Sequence, residues 1–550
     1  MRTHVVSNVV QAPSGLDVLR SDAALSEAVD RWVAPADPGG AAALDDLGRL
    51  AGTPEVRQWA DQADRVTPVL RTHAPTGERV DEVEFHPAYH ALMAVAVGQG
   101  LTAEPWTRPA DSGAHARRAA GFVVWSQVEA GHLCPVSMTY AAAPALAAEP
   151  DVAARWLPGL ASREYDPVLA PMADKAGLTV GMGMTEKQGG SDVRANTTRA
   201  LAVPGGPLEG DTHRLTGHKW FCSAPMSDAF LVLAQTDAGI GCFLLPRMLD
   251  DGTRNEIRLQ RLKDKLGNRS NASSEIELDG AWAVRIGEEG RGIRTIIGMV
   301  ASTRLDCVLG STATMRAALV RAVHHARHRS AFGALLVDQP LMRNVLADLA
   351  LESEAATVLA MRLAHAVDAG EDDFSRLGVA LGKFWVCKRT APMVAEALEC
   401  LGGNGYVEEN GLARLYREAP LNSIWEGSGN VNALDVVRAL TREPASLAAL
   451  GQELALARGH DSVLDAAIDD VESAGPLAAA ADAPWGARRL VERLALTLQA
   501  ALLVRHSPGS VADAFVASRL GGDHGGTFGT LGASVGPDAV SLLLERALPG

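Results

Sequence analysis

The sequence is poor in cysteine, poor in aromatics and without an excess of positive charge. Its six cysteines, Cys134, Cys222, Cys242, Cys307, Cys387 and Cys400, form no C-x-x-C pair, so no zinc or dithiol motif is visible. That usage fits a reducing compartment better than a disulfide framework, and a cytoplasmic protein is expected. Residues 1–20 lack a basic start followed by a long apolar stretch, so no signal peptide is read. No run reaches about 18 apolar residues, so no membrane span is expected. A net charge of −15 argues against a globally basic nucleic-acid binder. Aromatics make up only 5%, while Ala and Leu are abundant, which suits helices.

The chain of 550 residues, 47% of them apolar, is too long for one core, and two to four domains are expected. Residues 1 to about 175 read as helices, with loops expected at 34–40, 68–77 and 106–113. One long helical stretch, 115–140, carries the core candidates Phe122, Val123, Trp125, Val128 and Leu133. In it Glu129 and His132 share a face; a surface pair is the simpler reading and a metal pair the alternative. From Leu178 the pattern becomes extended, with strands at 178–184, 213–219, 229–235, 241–245 and 275–278. After Gly292 helices return. Leu341, Val345 and Leu349, then Leu359, Leu363 and Val367, recur at every fourth position, the stripe of a bundle helix. Segments 293–329, 339–369, 375–401 and 431–441 are expected to form a four-helix arrangement. Beyond Arg442 a further helical segment, 447–504, and the Gly-rich patch 521–526 read as an appended domain. From Arg442 on there are eight Arg, no Lys and thirteen acids.

Several stretches have the composition of a site. Trp425-Glu426-Gly427-Ser428-Gly429-Asn430 sets a carboxylate between an aromatic flank and a Gly-Ser-Gly turn that opens a helix. An apolar flank tends to raise a carboxyl pKa towards the working pH of a general base, and the helix start favours an anion. A surface helix cap is the plainer reading. Thr185-Glu186-Lys187-Gln188-Gly189-Gly190-Ser191-Asp192 follows a strand, and its amides and hydroxyls can face a phosphate; an ordinary loop is the alternative. Gly217-His218-Lys219-Trp220-Phe221-Cys222-Ser223 offers aromatics to a flat ligand and a hydroxyl to a ring nitrogen, or simply a sheet with large side chains. Arg327-His328-Arg329-Ser330-Ala331-Phe332-Gly333 lies between two helices, where its arginines could meet a phosphate or solvent. Leu401-Gly402-Gly403-Asn404-Gly405-Tyr406 reads most simply as a helix C-cap.

Taken in order, these stretches resemble the acyl-CoA dehydrogenase family of flavoproteins. The matching residues are Met184-Thr185-Glu186 with Gly190-Ser191-Asp192, Gly217 with Lys219 and Ser223, Arg329 with Phe332-Gly333, Gly402-Gly403-Asn404-Gly405, and Tyr416-Arg417 with Glu426-Gly427. Within the family the wording is closer still to the AidB-type proteins of the adaptive response to DNA alkylation. It is carried by 181–193, by 263–273 (Lys-Asp-Lys-Leu-Gly-Asn-Arg-Ser-Asn-Ala-Ser) and by 422–430 (Asn-Ser-Ile-Trp-Glu-Gly-Ser-Gly-Asn).

The resemblance implies an α+β, mainly α fold. Its parts would be a helical N-terminal domain (1–178), a middle β-barrel (179–290), a four-helix bundle (291–441) and an extra C-terminal helical domain (442–550). FAD would lie between barrel and bundle. Thr185 would take the flavin pyrimidine edge and Ser191 the pyrophosphate, with Met182, Met184 and Gly190 alongside. Phe221 replaces the usual flavin-facing Trp, Trp220 precedes it, Cys222 follows, and Ser223 replaces the hydroxyl that meets flavin N5. Arg329 and Phe332 would reach FAD from a neighbouring subunit, which implies a homotetramer, and Gly402 and Gly403 would also bind the cofactor. Ile424, Trp425, Gly427, Ser428, Gly429 and Asn430 would run along the cofactor. Glu426 takes the position of the base that removes the proton α to an acyl-CoA thioester while hydride passes to N5. The alternative base position of some relatives is here Thr303-Arg304. Lys187-Gln188 departs from the family's Pro-containing loop. No metal is implied. The subgroup binds duplex DNA and is a poor dehydrogenase, and Arg438 sits where it has an Arg implicated in DNA binding. The acidic C-terminal segment argues the other way, although Arg438, Arg442, Arg488, Arg489, Arg493 and Arg505 could form a local patch. A catabolic acyl-CoA dehydrogenase without DNA binding is the alternative, and oxidation by oxygen is less favoured.

Overall fold

The structure, a computed structural model, describes residues 3–549. The chain folds into two compact units, each assembled from separated stretches. One comprises the chain to Pro54, Ala110–Gln127 and everything from Arg304; the other comprises Glu55–Pro109 and Val128–Thr303.

The second unit is built on a barrel. A small antiparallel hairpin, β1 (Val69–His73) and β2 (Arg79–Glu84), precedes it. The barrel strands are β3 (Val180–Gly183), β4 (Arg199–Ala202), β5 (Thr212–Ser223), β6 (Ala229–Thr236), β7 (Gly239–Pro246), β8 (Ile257–Leu262) and β9 (Ser273–Ile286). The order β6-β4-β5-β9-β7 closes because β7 also pairs with β6; β3 flanks β6 in parallel and β8 flanks β9. Alternation sends Leu215, Phe230, Val232, Phe243, Leu245, Ile276 and Leu278 into one core. Closure matters to the site because it fixes the ends of β3 and β5, where the expected flavin residues begin. Gly217 is required there, since a Cβ would lie 2.5 Å from Thr198 Oγ1 and 2.7 Å from its Cα.

Two readings of the N-terminal part are corrected. Residues 68–77 are not a plain loop but enter the β1–β2 hairpin. Residues 115–140 are not one helix: helix Ala114–Ser126 ends, and helix Leu133–Leu146 starts anew. The break is local chemistry. The Glu129 carboxylate accepts the amides of Gly131 (2.8 Å) and His132 (2.9 Å), a local turn that diverts the backbone ahead of Leu133. Glu129 and His132 do meet, Oε2 to Nδ1 at 2.9 Å, but they are 2% and 0% exposed, not a surface pair. Ser270 Oγ donates to the same carboxylate. No cluster of three metal-ligating side chains occurs among the described residues.

In the first unit, helix Asp372–Glu399 packs on helices Pro340–Asp368, Gly429–Arg442 and Ala483–His506. The segment after Arg442 therefore shares a compact unit with the bundle helices. Buried ion pairs stitch it in. Arg519 joins Asp348 and Glu352, Arg546 joins Glu27 and Glu354, and Glu453 holds both Arg362 and Arg505. Breaking such a pair leaves a buried charge unmatched, which is the costly direction. No helix among the described residues is long and apolar enough to cross a membrane.

Candidate active site

Two groups of expected residues take shape, one in each unit. In the barrel unit, β3 delivers Met182 and Met184, both half-buried, and then Thr185. The Thr185 carbonyl accepts the Trp220 amide at 2.8 Å, and Asn196 Nδ2 donates to the Met184 carbonyl at 2.9 Å. The loop is anchored from within by Glu186, which is wholly buried. Its carboxylate accepts Lys219 Nζ (2.9 Å), the Thr197 amide (2.7 Å) and hydroxyl (2.9 Å), the Thr198 amide (3.2 Å) and Gln188 Nε2 (2.8 Å). Burial pushes the Glu186 carboxyl up, but the Lys219 ammonium and the Thr197 and Thr198 donors outweigh it and hold it well below the usual carboxylate range. Burial in turn pushes the Lys219 ammonium down, against the pull of Glu186.

Gly190 and Ser191 are exposed at the loop tip. A Cβ at Gly190 would sit 2.5 Å from Thr185 Oγ1, filling the cradle in which that hydroxyl lies. On β5 Phe221 is 52% exposed and Ser223 half-buried, whereas Cys222 points into the barrel core and burial pushes its thiol up to about 12. Cys222 can therefore offer a ligand only its backbone. Sequence reading missed three supports. Lys263 Nζ lies 3.8 Å from the Trp220 ring centre and 4.4 Å from that of Phe221, while its charge is held by Glu275 at 2.8 Å. Ser273 Oγ lies 3.2 Å from Ser223 Oγ and accepts Lys265 Nζ at 3.1 Å. Both lysines belong to the 263–273 stretch, so its wording was the available signal. An exposed ring, a hydroxyl steadied by Ser273, a glycine cradle and nearby lysines suit a flat, electron-accepting cofactor with a phosphate tail. The donor set fits FAD.

In the other unit Glu426 is half-buried and held at φ +57°, a region that non-glycine residues adopt sparingly. The turn is pinned at its carbonyls. Arg304 Nε donates to the Glu426 carbonyl at 3.0 Å, and the Gly427 carbonyl accepts Lys383 Nζ at 3.0 Å and Asn432 Nδ2 at 2.5 Å. Gly427 itself sits at φ +97°. At Gly429 a Cβ would lie 2.5 Å from Lys388 Cε, so a larger residue there would displace the end of that lysine from the helix start. Trp425 is fixed by Nε1 donating to Asn422 Oδ1 at 2.9 Å, and Asn422 Nδ2 reaches Ser311 Oγ at 3.2 Å. Ile424, Ser428 and Asn430 are exposed. Thr303-Arg304, the alternative base position, contributes a guanidinium that braces the Glu426 turn and pairs with Asp435 at 2.8 Å.

The remaining expected residues occupy separate places in that unit. Arg329 ties to the Asn8 carbonyl beside a hairpin of β10 (Ser330–Ala331) and β11 (Ala334–Leu335). Phe332 and Gly333 form its tip with φ +53° and +83°, the pattern of a tight type I′ turn, and Phe332 is fully exposed. Residues 327–333 are thus a helix end followed by a hairpin. Gly402 (φ +57°) and Gly403 open the single turn Gly403–Tyr406, both exposed. Arg438 pairs with Asp435 at 2.6 Å, and Asp435 also holds Arg304 and Arg376.

Comparison with known proteins places this geometry. The family model for the N-terminal domain of adaptive response protein AidB matches residues 8–167. Those for the acyl-CoA dehydrogenase middle and C-terminal domains match 181–281 and 290–441. The putative acyl-CoA dehydrogenase AidB of Escherichia coli is 48% identical over 472 residues, 85% of this chain and 86% of its own. Acyl-CoA dehydrogenase family member 11 of Caenorhabditis elegans is 32% identical over 77% of this chain and 71% of its own. A solved structure of Caenorhabditis elegans ACDH-11 in complex with C11-CoA superposes with a TM-score of 0.82 at 27% identity, covering 99% of this chain and 93% of that one. The chain belongs to the acyl-CoA dehydrogenase family.

Proposed function

We propose that this chain is an FAD-dependent oxidoreductase that desaturates an acyl thioester, with Glu426 as the base. FAD, when bound, supplies the acceptor for the hydride that leaves the β carbon. Glu426 takes the proton from the α carbon onto a carboxylate oxygen. The acyl group thereby loses one proton and one hydride and gains a C=C bond. The observation that carries this reading is the pinned Glu426 turn: Arg304, Lys383 and Asn432 hold its backbone in a sparsely populated conformation, which fixes where the carboxylate starts. Thr185, Ser191, Phe221 and Ser223 would hold the cofactor. Phe332 and Arg329 would extend it to a second copy, since a fully exposed aromatic on a rigid hairpin tip invites cover. Anaerobic mixing of flavin-loaded protein with an acyl-CoA panel should bleach the flavin. Glu426→Gln should slow this by roughly 10²-fold or more while leaving the absorption spectrum intact. No bleaching with any chain length would end the proposal.

A second activity, duplex DNA binding in an alkylation response, is supported by one arrangement. Arg438, Arg493 and Arg505 are engaged by Asp435, Asp470 and Glu453. Arg442, Arg488 and Arg489 are exposed and pair with no carboxylate among the described residues. On helix Ala483–His506, Arg488 and Arg489 share a face with Trp485, which is 95% exposed. Gel retardation of duplex DNA at low salt should be lost in Arg488→Glu/Arg489→Glu. Retardation unaffected by that double change would refute this placement, and none in the unaltered protein would refute DNA binding itself.

A further inference from the structure

Within the barrel unit a cavity of ≈ 360 Å³ lies between β2, helix Pro87–Gly98 and the irregular segment 165–169. None of the residues assigned above to flavin or catalysis lines it. Phe85 and Tyr89 stack with ring centres 4.2 Å apart, and His90 stands edge-on to both at 5.9 and 5.7 Å. His90 Nδ1 pairs with the Tyr165 hydroxyl at 2.9 Å, which ties the irregular segment to the helix. Burial pushes the His90 imidazolium down, so the ring is neutral at pH 7. Met93 and Met226 add adaptable, polarizable surface.

Two features point to a ligand and to its charge. Ser227 lines the cavity, is 2% exposed, and its hydroxyl has no hydrogen-bond partner among the described residues. Buried hydroxyls are nearly always paired, so this one is waiting for a donor or acceptor. The only charged side chains in the lining are Glu82 and Asp166, and no Lys or Arg lines the cavity. An anion would therefore meet carboxylates and no counter-charge. A cation would be desolvated beside carboxylates already engaged, Glu82 by Arg254 and Asp166 by the amides of Val168 (3.0 Å) and Ala176 (3.2 Å).

We propose that this cavity is a binding site for a small uncharged ring compound carrying one hydroxyl, held by the aromatic and methionine walls and hydrogen-bonded to Ser227. The site stands apart from the flavin reading and survives its failure. Val168, 62% exposed, marks the rim through which a ligand would enter.

The test titrates full-length, flavin-loaded protein with 4-methylphenol, followed by calorimetry and ligand-detected NMR. Saturable binding at one site per chain is expected. Ser227→Ala should weaken it about tenfold, while leaving the affinity for toluene, which lacks the hydroxyl, unchanged. Val168→Trp at the rim should weaken both. 4-Methylbenzoate and benzyltrimethylammonium should each bind at least about tenfold more weakly than 4-methylphenol. Three results would overturn the proposal: no saturable binding to protein with an unaltered melting temperature, an equal loss of both neutral probes in Ser227→Ala, or either ion binding as tightly as the phenol.

Discussion

Glu186 and Lys219 offer the sharpest test of how the loop expected to carry FAD is held. Both are wholly buried, and each loses different support when the other is altered. Glu186→Gln leaves the Lys219 ammonium with neutral acceptors alone, the Leu233 carbonyl (2.7 Å) and the introduced amide oxygen, a buried cation without a counter-charge. That should cost roughly 3–5 kcal/mol. Lys219→Met leaves the Glu186 carboxylate with the Thr197 amide and hydroxyl, the Thr198 amide and Gln188, so the loss should be smaller, about 1.5–3 kcal/mol. The double substitution removes both charges together and should fall short of the sum by at least about 1 kcal/mol. Urea unfolding followed by tryptophan emission measures each term, and flavin retained after gel filtration reports the loop. Additivity within about 0.5 kcal/mol would show that the two charges do not support each other, and the reasoning would fail. The acid limb supplies a second check. The folded Glu186 carboxyl lies below its free value of 4.5, so its contribution is complete above that pH and is lost as pH falls towards the folded value.

Other consequences are open to direct measurement. Gly190→Ala places a Cβ 2.5 Å from Thr185 Oγ1; flavin affinity should fall at least about tenfold with little change in the melting temperature, measured by equilibrium dialysis. Asp435→Asn leaves Arg304, Arg376 and Arg438 without their shared carboxylate, which those arginines hold below its ordinary range despite burial. Stability should drop by about 3 kcal/mol, and acyl-CoA-dependent bleaching should slow because Arg304 also braces Glu426. Burial lowers His115 and His506 to about 4. Each favours the fold fully above about 6.5 and loses that contribution as pH falls through about 4, so the melting temperature should decline across that window. His506→Gln should flatten the decline, and an unchanged pH profile would contradict the assignment.

What the sequence reveals of this fold depends on how near in the chain each interaction lies. Turns and glycine positions announce themselves locally, which is why Gly190, Gly402 and the Glu426-Gly427 turn were readable. Strand β4 was not, because Arg199, Leu201 and Ala202 are exposed and leave no alternating pattern. Strand β8 alternates Ile257 and Leu259 with Arg258 and Gln260 but is only six residues long. The helix read across 115–140 conceals a break held by one side chain, since Glu129 binds the Gly131 and His132 amides inside a sequence whose pattern is otherwise helical. Supports from afar carry no local sign. Lys219 reaches Glu186 from 33 positions away, and Arg304 reaches the Glu426 carbonyl from 122. The same limit governs the charge argument. By composition the C-terminal segment is acidic, yet Arg505, Arg519 and Arg546 are consumed by Glu453, Asp348, Glu352, Glu27 and Glu354 inside the fold. A net-negative segment can thus still present Arg488 and Arg489 unpaired on one helix face, because pairing, not composition, decides which charges reach a partner.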